Sequence, residues 1–203
     1  MIHWASECAD LARRYGERPA VADACGTVSY ATLFAQAGGV GHALMAAAIG
    51  PGDAVATLFR NGSQAVAATF GVMMAGAVEV PLNPALSAAE RAHCLAVSDA
   101  RLVITSREFA AGLIAAGHRV LPIDDIAAAA LEPAAFPRVD GDAAARIVFT
   151  SGTIGQSKGA VHSHAGAALT AWLARRGSRR KLRSGSECIG WAAEAYTLII
   201  ARP

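Results

Sequence analysis

Between Ile147 and His164 an apolar run gives way to Thr150-Ser151-Gly152-Thr153-Ile154-Gly155-Gln156-Ser157-Lys158-Gly159 and then returns to apolar residues. Glycines let a backbone approach an anion closely and take up positive φ. Successive N–H groups, the hydroxyls of Thr150, Ser151 and Thr153, and the Lys158 ammonium can therefore converge on phosphate oxygens. No other segment of the chain gathers as many donors for a polyanion. Two competing readings use the same residues. The Gly-x-x-x-x-Gly-Lys-Ser/Thr loop of ATPases needs glycine before its lysine, a hydroxyl after it, and a helix directly beyond. Here Ser157 precedes Lys158, Gly159 follows it, and Gly159-Ala160-Val161-His162 reads as extended. A Gly/Ser/Thr run between two strands is also what a plain hairpin turn requires. Ser151 has no Gly-x-Ser-x-Gly elbow around it, which argues against a serine hydrolase. The adjacent Asp124 and Asp125 read as a helix cap and not as a metal pair.

The elements that must hold this loop alternate between strand and helix patterns. Ala54–Phe59 is a near-continuous apolar strand, and Asn61-Gly62-Ser63 turns the chain, with Ser63 placed to cap a helix through Met74. Val78–Leu82 is the next strand. Ser87-Ala88-Ala89-Glu90 fits a capping box, in which serine satisfies one orphan amide and glutamate bonds back, and opens a helix to about Val97. Leu102–Thr105 is a strand, 106–116 a helix, Val120–Ile123 a strand and Arg146–Thr150 the strand entering the loop. An earlier helix from Tyr30 to about Ile49 is expected to stop at Gly50-Pro51 through a left-handed cap. Residues 127–142, rich in Ala, Pro and Asp, read as a short helix and a surface connector. Apolar strands separated by helices imply an α/β fold: an open, mainly parallel sheet with helices on both faces.

The pattern Thr150-Ser151-Gly152-Thr153-x-Gly155-x-x-Lys158-Gly159, followed by Ser163-His164, resembles the phosphate-binding signature of the AMP-forming adenylating enzymes. These include acyl- and aryl-CoA synthetases and the adenylation domains of peptide synthetases. Arg18-Pro19-Ala20-Val21, Ser29-Tyr30-Ala31-x-Leu33, Gly50-Pro51-Gly52-Asp53-x-Val55-Ala56 and Ala75-Gly76-Ala77-Val78-x-Val80-Pro81-Leu82-Asn83-Pro84 extend the resemblance upstream, in the family's order. Two positions depart from it: Ile154 replaces a hydroxyl residue and Ser157 replaces a proline. The resemblance implies that a carboxylic acid attacks the α-phosphorus of ATP with Mg²⁺ present, releasing pyrophosphate. A thiol, of coenzyme A or a carrier protein, then displaces AMP. Fatty-acid activation is among the roles implied. By position, Thr150, Ser151, Gly152, Thr153, Gly155 and Gly159 would surround the β- and γ-phosphates and Lys158 would add a mobile positive charge. His164 matches a histidine at the border of the acyl pocket, the alternative being a helix-start histidine without a ligand; His162 has no counterpart and reads as structural. The family's adenine-contacting aromatic-Gly-x-Thr-Glu segment, its later ribose-binding aspartate and its C-terminal lysine have no match. The chain is therefore expected not to turn over alone, with a non-catalytic nucleotide- or partner-binding remnant as the alternative.

Of the 203 residues, 54% are hydrophobic and 17% charged, which excludes a disordered chain. The longest uncharged apolar stretch, Ala65–Val78, is shorter than the ~18 residues a membrane span needs and reads as a buried helix. The N-terminus lacks a secretion-signal pattern, and cysteines 8, 25, 94 and 188 are scattered, which suits small core residues in a reducing cytoplasm. A net charge of +2 gives nucleic-acid binding no support from the chain as a whole. Arginine is nevertheless crowded into 175–183, where the family text stops. Residues 1–173 are read as a partial N-terminal AMP-binding domain and 174–203 as an atypical basic tail. That tail is expected from a frameshift or truncation, or else as a segment touching nucleic acid.

Overall fold

The computed structural model describes residues 1–150 and 158–169. Helix α1 (Trp4–Tyr15) precedes a small antiparallel hairpin, β1 (Pro19–Asp23) and β2 (Gly26–Ser29). No sequence pattern marks these elements. Then follow α2 (Tyr30–Ala46), β3 (Ala54–Leu58), α3 (Ser63–Met74), β4 (Val78–Leu82), α4 (Ala88–Ser98), β5 (Leu102–Thr105), α5 (Arg107–Ala115), β6 (Val120–Pro122), β7 (Ala144–Thr150) and β8 (Lys158–Ser163). Among the described residues six strands form one sheet in the order β6-β5-β3-β4-β7-β8. Every pairing is parallel except that of β7 with β8. The expected open, mainly parallel sheet with helices on both faces is therefore what forms.

Alternation along the strands builds two cores. Val55, Leu102 and Ile104 face α1, α2 and α3, whose Phe34, Leu44, Val72 and Met74 are buried. Ala54, Ala56, Leu58, Val80, Leu82 and Val103 face the other way, onto Cys94 and Leu95 of α4 and Leu113 of α5. The apolar run from Ala65 becomes α3, buried along most of its length. Among the described residues no helix is long and apolar enough to cross a membrane. Cys8 and Cys94 are core residues as expected, but Cys25 is exposed in the β1–β2 turn; Cys188 lies outside the described residues.

Helix ends show where local reading holds and where a distant group takes over. The Ser87 hydroxyl accepts from the Glu90 amide while Glu90 accepts from Ser87, completing the capping box. Ser63, in contrast, is the first helical residue of α3 and not its cap. Asp23 of β1 caps α3 from across the fold, its Oδ2 accepting from the Ser63 amide at 2.7 Å and hydroxyl at 2.8 Å. Ser106 likewise makes no capping bond; Oδ2 of Asp124 accepts from the Arg107 amide at 2.7 Å. Asp124 is thus a cap, as expected, but for the neighbouring helix α5, while Asp125 pairs with the Arg107 guanidinium. Helix α2 stops at Ala46, earlier than Ile49, and the left-handed residue is Ala48 (φ 59°), not Gly50. The Ile49 amide reaches Leu44 O and the Ala48 amide reaches Met45 O, a Schellman pair that closes the helix one turn early.

Residues 127–142 are more than a surface connector. Only a 3₁₀ turn at Pro133–Ala135 forms there, and the segment lies against α2, with the Ala129 amide bonded to Ala35 O and Phe136 and Val139 buried. Gly39 makes this approach possible, because a Cβ there would sit 2.1 Å from Ala127 O.

Candidate functional site

Strand β7 carries the candidate loop out of the sheet, and its attachment to β4 rests on one register pair, Glu79 opposite Arg146. Each is the only charge in an otherwise apolar or hydroxyl-bearing strand. They pair: the Arg146 guanidinium donates to Glu79 Oε2, with side chains 6% and 2% exposed. The other carboxylate oxygen, Oε1, accepts from Thr57 Oγ1 of β3 at 3.0 Å and from Thr69 Oγ1 of α3 at 2.7 Å. One carboxylate therefore ties β3, α3, β4 and β7 together beneath the loop. Desolvated charges are tolerable only when paired and hydrogen-bonded, and this one has a partner on each oxygen. Sequence reasoning missed both residues. Their signal was present as two opposite charges, each isolated within a buried strand.

Above this anchor β7 and β8 form an antiparallel ladder ending with Thr150 opposite Lys158. Directly opposed residues in such a ladder hold their side chains on one face, with Cβ atoms about 4.5–5.5 Å apart. The exposed Thr150 hydroxyl and the exposed Lys158 side chain therefore leave the hairpin together. Ser151, Gly152, Thr153, Ile154, Gly155 and Ser157 lie outside the described residues, as does the basic run at 175–183. The chain continues after Lys158 as a strand and not as a helix, which sets aside the ATPase-loop reading. Gly159 stands opposite Phe149, and a Cβ there would come within 2.8 Å of Ile147 Cγ2 and 3.5 Å of the Phe149 ring. Its lack of a side chain thus lets Ile147 and Phe149, which pack against the α4/α5 core, sit across the hairpin.

Beyond β8 the residues 164–169 are helical, and the Ser163 hydroxyl accepts from the Gly166 amide. His164 is the first residue of that helix. It is a helix-start histidine, yet it is 1% exposed and its Nδ1 accepts from Trp4 Nε1 at 2.9 Å. Burial holds its pKa below the ordinary histidine value. Its Nε2 is also buried and meets no hydrogen-bond partner among the described residues. Trp4, 160 positions away, carried no signal in the sequence. His162 is exposed on β8. Among the described residues no three His, Cys, Asp or Glu side chains gather into a group that could hold a metal ion.

Comparison with known proteins identifies the family. The family model described as AMP-binding enzyme matches residues 8–193. The AMB antimetabolite synthetase AmbE of Pseudomonas aeruginosa is 39% identical over 158 residues, covering 74% of this chain and 7% of AmbE. A feruloyl-CoA synthase of an Amycolatopsis species is 36% identical over 140 residues, covering 68% and 28%. The AMPPNP-bound crystal structure of the nonribosomal peptide synthetase FmoA3 superimposes with a TM-score of 0.75 at 28% identity, covering 87% of this chain and 19% of that one. None of these three names a fatty acid, and the chain spans 28% or less of each. The chain belongs to the AMP-binding family of adenylate-forming enzymes.

Proposed function

We propose that this chain supplies the phosphate-binding part of an enzyme that activates a carboxylic acid with ATP. The observation that carries the proposal is the register pair Thr150–Lys158, which brings both ends of the hydroxyl- and glycine-rich segment to one point of the sheet edge. Ser151, Gly152, Thr153 and Gly155 lie between those ends in sequence and would offer hydroxyls and amides to the β- and γ-phosphates. The Lys158 ammonium would neutralise charge on the same oxygens. Positioning and charge neutralisation are most of what such a displacement at phosphorus asks of a protein. The carboxylate would attack the α-phosphorus, pyrophosphate would leave, and the acyl-adenylate would pass to a thiol. Relatives named as peptide synthetases support a carrier-protein thiol, and those named as feruloyl-CoA synthases support coenzyme A. Mg²⁺ would arrive on the triphosphate, and no protein ligand is assigned to it.

Calorimetric titration with ATP tests the reading. Lys158→Ala removes a charge-assisted contact of about 1.5–3 kcal/mol, which is about ten- to a hundredfold in Kd. Heat of ATP binding that is identical in wild type and Lys158→Ala, or no binding in either, would sink the proposal.

A further inference from the structure

The chain leaves β6 at one edge of the sheet and reaches β7, on the far side of β4, through residues 123–143, which lie against α2. Both ends of this crossing are pinned. At its start Asp124 accepts from the Arg107 amide at 2.7 Å and from Gln64 Nε2 at 3.0 Å. At its end Phe136 is buried, with its ring 4.7 Å from that of His42 and its carbonyl 3.2 Å from His3 Nε2. Val139 then exchanges two backbone bonds with Ile2, at 2.7 and 2.9 Å. Between these anchors, from Ile126 to Ala135, two hydrogen bonds reach residues distant in sequence. The Ala129 amide donates to Ala35 O at 3.0 Å, and Gln36 Nε2 to Ile126 O at a long 3.4 Å.

The seat of this span is a glycine face. A Cβ on Gly39 would come within 2.1 Å of Ala127 O, and one on Gly38 within 3.3 Å of Ala129 O. The contact is therefore largely backbone on backbone, and it takes little apolar side chain out of water. Ala127, Ala128, Ala130, Ala134 and Ala135 are exposed, and no residue from 126 to 135 is fully buried. Under the first of these residues the packing is open. A cleft of about 230 Å³ separates Leu33, Gln36, Gln64 and Ala67 on the helices from Ile123 and Ile126. Few buried apolar contacts and few hydrogen bonds are what give a segment a low opening free energy.

We infer that residues 126–135 form a strap that lifts from α2 as one unit, hinged at Asp124 and Phe136, while the sheet stays folded. Lifting widens the cleft at Ile126 and bares the glycine face of α2. The β7–β8 hairpin keeps its place, because the Arg146 guanidinium and Glu79 hold it without the strap. The device is independent of any phosphate chemistry at the hairpin.

Native-state hydrogen exchange of the full chain, followed residue by residue by NMR in rising urea, tests the strap. The Ala129 amide is protected through its bond to Ala35 O, so it reports the strap itself. It should exchange on the order of a hundredfold faster than the amides of β3, which lies between β4 and β5. Its rate should also be insensitive to low urea, because lifting exposes little surface. Exchange of Ala129 at the β3 rate and with the β3 urea slope would overturn the inference, since the strap would then open only with the whole domain. Gly39→Ala supplies a second arm. A methyl 2.1 Å from Ala127 O does not fit under a seated strap, whereas helix α2 itself gains a better helix former. The Ala129 amide of this variant should lose protection by about tenfold or more while the β3 amides keep theirs. A Gly39→Ala protein that loses protection equally in β3, or that fails to fold, would show the strap to be part of the cooperative core and not a separate unit.

Discussion

Arg146→Met removes a guanidinium from a buried carboxylate and leaves a linear apolar side chain in its place. Glu79 Oε1 keeps both of its donors, Thr57 and Thr69, while Oε2 loses the charge that faces it. With both side chains more than nine-tenths buried, solvent cannot rescue the orphaned oxygen. Breaking such a pair from one side costs about 3–5 kcal/mol, most of it the penalty of an uncompensated charge. For a domain of this size each kcal/mol moves Tm by about 2–4 °C, so a fall of roughly 6–20 °C is expected. Urea unfolding followed by tryptophan fluorescence gives the free energy. The double variant Glu79→Gln/Arg146→Met neutralises the site, so its loss should be well below the sum of the two single losses. Amide exchange resolves where the damage falls, and β7 should lose protection before β3 and β5, because its only register pair with β4 is the mutated one. A loss under about 1 kcal/mol, no larger than an ordinary substitution, would refute the claim that this pair anchors the hairpin. Strict additivity of the two single variants would refute it equally.

Asp23 is pushed up by desolvation, but this is outweighed by bonds from the Ser63 amide and hydroxyl and from the Cys25 and Gly26 amides, which hold its carboxyl below the usual value. Its stabilisation is therefore full above the unfolded carboxylate pKa of about 3.9 and is lost as pH falls towards the lower folded value. Asp23→Asn should flatten that part of the acid limb in urea titrations at about pH 6 and about pH 3, and an unchanged slope would exclude the cap as its source. Ala48 sits at φ 59°, where an L-residue pays roughly 1–2 kcal/mol that glycine does not. Ala48→Gly should accordingly raise the urea midpoint, offset in part by the greater freedom of glycine in the unfolded chain; a lower midpoint would contradict the strain.

The elements legible in the sequence are those whose signals are local. Ser87 and Glu90 lie three residues apart and cap one helix, and the run from Ala65 buries itself as a single α3. What stayed hidden is contributed across the chain. Asp23 caps a helix 40 residues on, and Asp124 caps one 17 residues back. Ala48 closes α2 because the Leu44 and Met45 carbonyls accept its last amides, a choice that Gly50-Pro51 concealed by being the better-looking stop. The site divides in the same way. Thr150 and Lys158 were read from the loop's composition, whereas Trp4 and the Glu79–Arg146 pair depend on strand order and on where the N-terminus returns.

That division bears on how the proposed site would hold phosphate on a hairpin. A loop that opens into a helix gains the positive end of the helix dipole, about half an elementary charge, together with a cluster of free amides. Here the segment after Lys158 is a strand, and strands carry only small net dipoles. Without a helix dipole, a formal positive charge at this end of the hairpin has to come from a side chain, and among the described strand residues at the loop's mouth Lys158 is the one that brings it. A side-chain charge is useful only if its base is fixed, because a mobile stem gives back in entropy what it gains in attraction. Lys158 is fixed through its ladder with β7. That ladder is fixed in turn through Arg146 to Glu79, and its far end is closed where His164 meets Trp4. The buried ion pair and the buried imidazole would thus do for the proposed phosphate site on this hairpin what a helix does for the other kind of phosphate loop: they hold a small number of charged or donor groups still.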